Sequence, residues 1–358
     1  MPETLSPGPS RAEPIRVVQY GLGPIGVETA RTVLAKQNTG RIRLVGAIDV
    51  DPAKTGRDVA ELLGLAAPTG IVVSADAAAV LAETRPDVVL HTTSSFLDRM
   101  HKQLLTCARA GAHVVSSTEE LSFPFDRHPA LAAELDRAAR EHGVVLLGTG
   151  VNPGYAMDTL ALTATGVCAD VSVVRVERVV DAGRRRLPLQ RKVGAGLTEA
   201  EFFERKQTGT FGHIGLRESL LFVAHGLGWA LDRIEETLDP VVSPRDVETP
   251  FLRVPRGRVA GIHHAIVGYQ HDSPVLALDL KMYVGADEPR DAVRVEGDPP
   301  IDLVVRGGIF GDTATVAALV NMVPLVLGAP PGLRTMQDLP VPRAFASTPV
   351  LYGRDGRG

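Results

Sequence analysis

Cysteine, charge of one sign and long apolar runs are what this chain has least of. Its 358 residues include two cysteines, Cys107 and Cys168. Neither has a partner at metal-ligand spacing, which excludes a disulfide framework and a zinc-finger site, and both sit in apolar surroundings as expected of buried spectators. Lysine plus arginine number 38 against 42 acidic residues, a formal net charge of −4. A balance of that kind supplies no broad basic surface for a phosphate backbone and argues against nucleic acid as a partner. No uncharged apolar run reaches the roughly 18 residues of a membrane helix, and the opening "MPETLSPGPSRAEP" lacks the basic-then-apolar order of a signal peptide. A cytoplasmic protein with no membrane role is expected. Internal repeats, low-complexity tracts and His/Cys/Asp clusters at ligand spacing are also missing, so no metal site is predicted.

What is present suffices for two folded domains, since 44% of the residues are hydrophobic. Residues 1–14 are proline-rich with few large apolar groups and read as a mobile tail. From Ile15 onward short apolar runs alternate with helical stretches. "IRVVQYG" is followed by a helix over 24–36, "RIRLVGAIDV" by one near 54–64, and "GIVVSA" by one near 76–83. "DVVLHTTS" then leads to a helix near 97–110, "HVVSST" to one near 129–142, and "GVVLLGTG" closes the series. The alternation predicts right-handed crossovers and an α/β domain of Rossmann type over 15–154, with a doubly wound parallel sheet.

After Gly154 the runs lengthen. "VSVVRVERVVDA", "RVAGIHHAIVGYQ" and "VLALDLKMYVGA", with a helical insertion over about 198–237, predict an α+β domain over 155–310 built on an open mixed sheet. One face of that sheet would carry helices. The other is expected to leave an apolar surface for a two-fold partner, giving a homodimer. The closing stretch 311–358, with the helical "DTATVAALVNMVPLVLGA", is expected to pack back on the first domain.

The sharpest local pattern is "YGLGPIG". Gly21, Gly23 and Gly26 form G-x-G-x-x-G directly after a strand and before a helix. That is the context in which a tight turn, close backbone approach and helix N-terminal N–H groups receive a pyrophosphate. Pro24 suits the first helical turn, where its missing N–H costs nothing, and Ile25 completes the loop. Asp49 ends the second strand 23 residues after Gly26, where an acidic side chain would hold the adenosine ribose. Lys54 and Arg57 follow closely and would meet a 2′-phosphate, so NAD, NADP and dual use all stay open.

Ligands of doubly wound sheets lie beyond the carboxyl ends of the strands. That rule selects Thr92, Thr93 and Ser94 for the cofactor path, with helix capping as the other role open to Ser94 or Ser95. It also selects the pair Glu119 and Glu120, which either does acid–base work or charges a helix start. Asn152 and Pro153, on the turn "GTGVNPG", are assigned to the cofactor side of the cleft. His263 and His264 alternate faces of a strand, so at most one points inward, where a hydrogen-bonded core residue is expected. The run Arg184–Arg186 reads as a solvated strand end.

These stretches, together with "AIDVDPAKTGRD", "TEELSFP", "GTGVNPGYAMDTL", "PLQRKVGAGLT" and "FGDTATVAALVNMVP", resemble the 2,4-diaminopentanoate dehydrogenases and the related native amine dehydrogenases. The wider group includes dihydrodipicolinate reductase, and the likeness runs over about residues 15–345. It implies NAD(P)-dependent oxidative deamination of a small amine, reversible as reductive amination of a ketone or aldehyde with ammonia. It implies a catalytic glutamate within "TEEL" and a cleft element at 191–198. The chemistry agrees, because hydride attack on an iminium carbon is helped by a nearby carboxylate that stabilises the cation and accepts protons. Glu119 is favoured as nearer the strand end, leaving Glu120 to cap or charge the following turn. Two other readings stay open: a dihydrodipicolinate-reductase-like or diamino-acid dehydrogenase acting on a charged substrate, and a non-catalytic NAD(P)-binding redox sensor.

Overall fold

The computed structural model describes residues 13–209 and 211–345. The expected mobile tail lies, but for its last two residues, outside the described residues, as does the end of the closing stretch.

In the first half, β1 (Ile15–Tyr20), α1 (Pro24–Lys36), β2 (Ile42–Ile48), α2 (Val59–Leu63), β3 (Val73–Ser74), α3 (Ala77–Thr84), β4 (Val88–His91), α4 (Leu97–Arg109), β5 (His113–Ser116), α5 (Pro129–Glu141) and β6 (Val145–Gly148) alternate. The second half runs α6 (Thr159–Thr165), β7 (Asp170–Asp181), α7 (Leu187–Lys192), α8 (Glu199–Lys206), α9 (Leu216–Gly226), β8 (Arg233–Val242), β9 (Val247–Glu248), β10 (Arg253–Val254), β11 (Val259–Gln270), β12 (Ser273–Tyr283), β13 (Arg290–Asp298), β14 (Ile301–Arg306), α10 (Gly311–Val326) and β15 (Gly332–Arg334).

The first sheet is parallel throughout, with seven strands in the order β15-β6-β5-β4-β1-β2-β3. Its strands are buried on both faces, as "VVLH" and "VLLG" show, because helices cover each side. The order reverses direction between β1 and β4, which opens a crevice at the strand ends where Gly21 and Thr92 follow. The chain returns here after the second sheet: α10 packs on α1, and β15 pairs with β6.

Near 54–64 the helix is shorter than the sequence pattern suggests. Asp51 carbonyl oxygen accepts from the N–H groups of Lys54 and Thr55, winding the stretch into turns, and α2 starts only where Asp58 caps it by accepting from Ala60 N–H. The expected helical insertion also ends early. Thr198 and Glu201 cap α8 reciprocally, and α9 follows, but Arg233–Val242 is a strand. As an edge strand covered on one face it needs few apolar residues, which hid it from a hydrophobicity reading.

The second sheet has six strands in the order β14-β13-β7-β12-β11-β8, mixed because β7 and β12 run parallel while their neighbours are antiparallel. Val174, Val176, Ile262, Ile266, Leu278 and Leu280 form its buried face, with α9 packed on β11 and β12 and α6 on β13. The opposite face corrects the expectation of an apolar surface. Around Ala265, Ala277 and Ala292 it carries the charges of Arg175, Glu177, Asp279, Lys281 and Arg294 at alternate strand positions. Among the described residues no helix is long and apolar enough to cross a membrane.

Candidate active site

A cleft of about 490 Å³ opens where the strand ends of the first sheet face the second. Its cofactor end is made of backbone. Gly23, Pro24 and Ile25 line it, and α1 starts with no side-chain cap on its N–H groups, which are left to face whatever enters. A Cβ on Gly23 would meet nothing within 4 Å, so the space beside this backbone is open. Gly26 is the opposite case. A Cβ there would overlap the carbonyl oxygen of Gly21 and Thr92 Oγ1, so this glycine sets the packing of helix on strand. These residues fit a pyrophosphate cradle.

Asp49 stands behind the loop, outside the cleft wall. Its Oδ2 accepts from Leu22 N–H at 2.7 Å and from Lys54 Nζ at 3.0 Å, and its Oδ1 from Asp51 N–H at 2.9 Å. Burial alone would raise its pKa, but the N–H groups of Asp51 and Leu22 and the Lys54 ammonium outweigh that and hold it below the usual carboxylate value. Lys54 is shared with Asp51 at 3.4 Å, and Arg57 is engaged by exposed Glu61 at 3.0 Å. Both cations near the ribose position thus already have carboxylate partners.

Thr92, Thr93, Ser94 and Ser95 form the next part of the wall. Thr92 Oγ1 donates to the carbonyl oxygen of Gly21 at 2.9 Å, tying β4 to the glycine loop, and Thr93 Oγ1 bonds Gln103 at 3.0 Å. Ser94 Oγ accepts from Phe96 N–H at 3.3 Å, a local turn just ahead of α4, so neither Ser94 nor Ser95 caps that helix, whose N-cap is Phe96 with no side-chain cap. Asn152 lines the cleft, whereas Pro153 stands behind it, packed on Gly215.

The two glutamates part company in the single 3₁₀ turn Glu119–Ser122. Glu119 faces the cleft. Burial raises its pKa, opposed by Lys192 across the cavity and by a hydrogen bond from Ser95. Glu120 turns the other way and is buried. Its Oε2 accepts from Leu97 N–H at 2.7 Å and contacts His128 Nε2 at 2.8 Å, so it serves the start of the preceding α4 rather than the turn after it.

The far wall comes from the second half of the chain. Lys192 lines it at the end of α7, within the stretch 191–198, and among the described residues no carboxylate lies within ion-pair distance of its ammonium. Arg185 and Arg186 line it as well, which corrects the reading of the arginine run as a solvated strand end. Arg185 is buried, and its guanidinium holds Asp312, in the first turn of α10, with contacts of 3.1 and 2.7 Å. Arg186 reaches the same carboxylate at 3.3 Å. Buried Arg178 pairs with Asp291 and donates to the carbonyl oxygen of Ile309 at 2.8 Å.

Sequence reasoning missed His213. It sits on the loop "FGHIG", in contact with Asn152 Nδ2 at 3.1 Å. The signal that would have found it is the glycine on either side. Gly215 has φ +101°, and a Cβ there would overlap Pro153 and crowd Glu119, so only glycine lets the loop press against the Glu119 turn. Burial, with Lys192, His264 and Arg178 nearby, keeps His213 well below the ordinary imidazole range and therefore neutral. His264 points inward and bonds Glu236, while His263 faces the open side and bonds Asp279. Among the described residues no group of His, Cys, Asp and Glu is arranged to hold a metal. Cys107 is buried, its thiol pushed up to about 12 by burial.

Comparison with known proteins places this cleft in context. The family model of the 2,4-diaminopentanoate dehydrogenase C-terminal domain matches residues 155–350. A 2,4-diaminopentanoate dehydrogenase of Acetoanaerobium sticklandii is 33% identical over 345 residues, 93% of this chain and 95% of the relative. An amine dehydrogenase of Streptomyces virginiae is 26% identical over 362 residues, 91% of this chain and 96% of the relative. The solved amine dehydrogenase of Mycobacterium smegmatis superposes with a TM-score of 0.81 at 28% identity, covering 93% of this chain and 98% of that one.

Proposed function

The chain belongs to the 2,4-diaminopentanoate dehydrogenase family, and on that premise we propose that it catalyses NAD(P)-dependent oxidative deamination of a small amine, reversible as amination of a carbonyl compound with ammonia. The observation that carries the reading is the divergence of the two glutamates: one carboxylate faces the cleft beside the glycine-loop end, and its neighbour is spent on a helix start. When bound, the dinucleotide supplies the hydride acceptor or donor. Glu119, its pKa raised by burial, accepts a proton from the substrate ammonium while ionised and, once it has passed that proton on towards water, stabilises the iminium carbon as a carboxylate. Lys192 keeps that carboxylate from staying protonated. Ser95 orients it. Water addition to the iminium gives a carbinolamine, and proton transfer through Glu119 completes release of ammonia.

The finer assignments are part of the same proposal. Asp49, ionised and flanked by Asp51, suits a free 2′-hydroxyl and repels a 2′-phosphate, which favours NAD. Arg186 and Lys192 in the cleft wall favour an amine that also bears a carboxylate, the charged-substrate reading. The charged open face of the second sheet, with its alanine centre, would join two copies as a homodimer. A cytoplasmic setting is part of the same proposal.

The test is a panel of ketones and aldehydes, with and without a carboxylate, offered with NADH and NADPH in the presence and absence of ammonia. Consumption of reduced cofactor that needs both ammonia and a carbonyl supports the proposal. Nucleotide binding without turnover across the panel supports the sensor, and turnover without ammonia a carbonyl reductase.

A further inference from the structure

Oxidising R₂CH–NH₃⁺ with NAD(P)⁺ and water gives the ketone, NAD(P)H, ammonium and one further proton. That proton must reach bulk water while cofactor and substrate fill the cleft. From the cleft wall outward runs a line of polar groups that no step described so far uses. Asn152 Nδ2 donates to His213 Nε2 at 3.1 Å, which puts the proton of the neutral His213 ring on Nδ1. His264, on β11, lies edge-on to His213 with ring centroids 6.5 Å apart, a gap that one bridging water closes. Its Nε2 bonds Glu236 Oε1 at 2.8 Å, so its own proton sits there and Nδ1 is left as an acceptor. That Nδ1 is buried and has no hydrogen-bonding partner among the described residues. The line ends in solvent, because the Glu236 side chain, on edge strand β8, is 38% exposed.

Packing alone gives no reason for a histidine at this place. His264 is in register with Leu238 on one side and Leu280 on the other, and its neighbours along the face, Ile262 and Ile266, are fully buried. A polar ring with an unsatisfied nitrogen among these residues costs stability that a leucine would not.

We propose that His213, His264 and Glu236 form a proton-exit route from the cleft to the surface at β8. The proposal rests on the amine dehydrogenase reading. A proton released in the cleft adds to His213 Nε2, displacing the Asn152 contact, and His213 Nδ1–H passes its proton through water to His264 Nδ1. His264 Nε2–H then transfers to Glu236, which releases it to solvent. Charge is conserved at each transfer, and both rings exchange tautomer before the next turnover. Lys192, His264 and Arg178 face His213, and Arg127 and Arg217 face Glu236. Burial, with Lys192, His264 and Arg178 beside it, keeps His213 from retaining the proton, and Arg127 and Arg217 help keep Glu236 from retaining it. In the amination direction the same groups deliver one.

The experiment uses Glu236→Gln and His264→Gln in the full chain, the first a near-isosteric change at a side chain 38% exposed that keeps an oxygen to accept from His264. Amine oxidation is measured at saturating substrate in weak buffer, with and without added imidazole, in H₂O and D₂O. The turnover rate should fall about 10- to 100-fold in both variants and the solvent isotope effect should grow. Imidazole should return most of the lost rate, and dinucleotide affinity should stay unchanged. Parental rates in weak buffer, or a loss that imidazole does not relieve, would overturn the route and leave the amine dehydrogenase reading standing. No amine-dependent turnover in the parent overturns both. Independently of turnover, ¹⁵N spectra of labelled histidines should show His213 protonated on Nδ1 and His264 on Nε2. The opposite tautomers would also overturn the route.

Discussion

The two ends of the cleft are built from different materials. At the cofactor end the wall is largely backbone: Gly23, Pro24 and the uncapped start of α1, with Gly21 and Gly26 packed behind them, all within one short stretch. At the reacting end it is charged and polar side chains, Glu119, His213, and Arg186 and Lys192 from the two ends of α7, brought together from three separate segments. A backbone site must be written in consecutive residues, because only the local conformation places the N–H groups. A side-chain site needs only that the fold deliver each group. The first end therefore tolerates little change in its glycines, while the second can be retuned one residue at a time.

If the ends are separable, changes at one should leave the other intact. Gly23→Val should be the harshest at the cofactor end. The backbone there is compatible with a side chain and the space beside it is open, so the fold should survive. Dinucleotide affinity, read by fluorescence titration, should drop about 100-fold or more, ~3 kcal/mol. Unchanged affinity in the folded variant would remove the pyrophosphate from this loop. Glu120→Ala should act on stability instead. Loss of the buried acceptor for Leu97 N–H should cost about 1–3 kcal/mol in denaturant unfolding, with turnover of the folded protein close to parental. A catalytic collapse at full stability would reverse the roles given to the two glutamates.

Smaller effects sharpen the comparison. Asp49→Ala should weaken NADH relative to NADPH by about 10-fold, because the carboxylate that would hold the ribose hydroxyls also repels a 2′-phosphate. Equal losses would show that Asp49 does not read the ribose. Lys192→Met removes the charge that opposes the burial-driven rise at Glu119. The carboxyl pKa should climb further, the ionised fraction at neutral pH should shrink, and the acid limb of kcat/KM should move to higher pH. A limb that stays in place, or moves down, would separate Lys192 from Glu119.

How much of this was legible follows from the same contrast. The strand–glycine loop–helix unit, the strand-end position of Asp49 and the alternation of the first sheet were readable because each is a local pattern with one physical cause. That two adjacent glutamates would part was readable too, but not that Glu120 would reach back to Leu97, since the meeting of the turn with α4 is a tertiary event. His213 and Arg185 were invisible for the same reason. One stands on a loop whose purpose appears only when Gly215 is seen against Pro153, and the other belongs to an arginine run that solvates well on paper and is buried by Asp312 in fact. Strand β8 was lost because an edge strand with one covered face carries too few apolar residues to announce itself.

The most direct measurement compares Glu119→Gln with the parent in the same samples, following amine oxidation at saturating cofactor and dinucleotide binding by fluorescence. With Glu119 as the proton acceptor, oxidation should fall by about 10² to 10⁴ while binding stays within a factor of about two. Near-parental oxidation in the Glu119→Gln protein, with the dinucleotide bound as before, would contradict the central claim that this carboxylate performs the chemistry of the cleft.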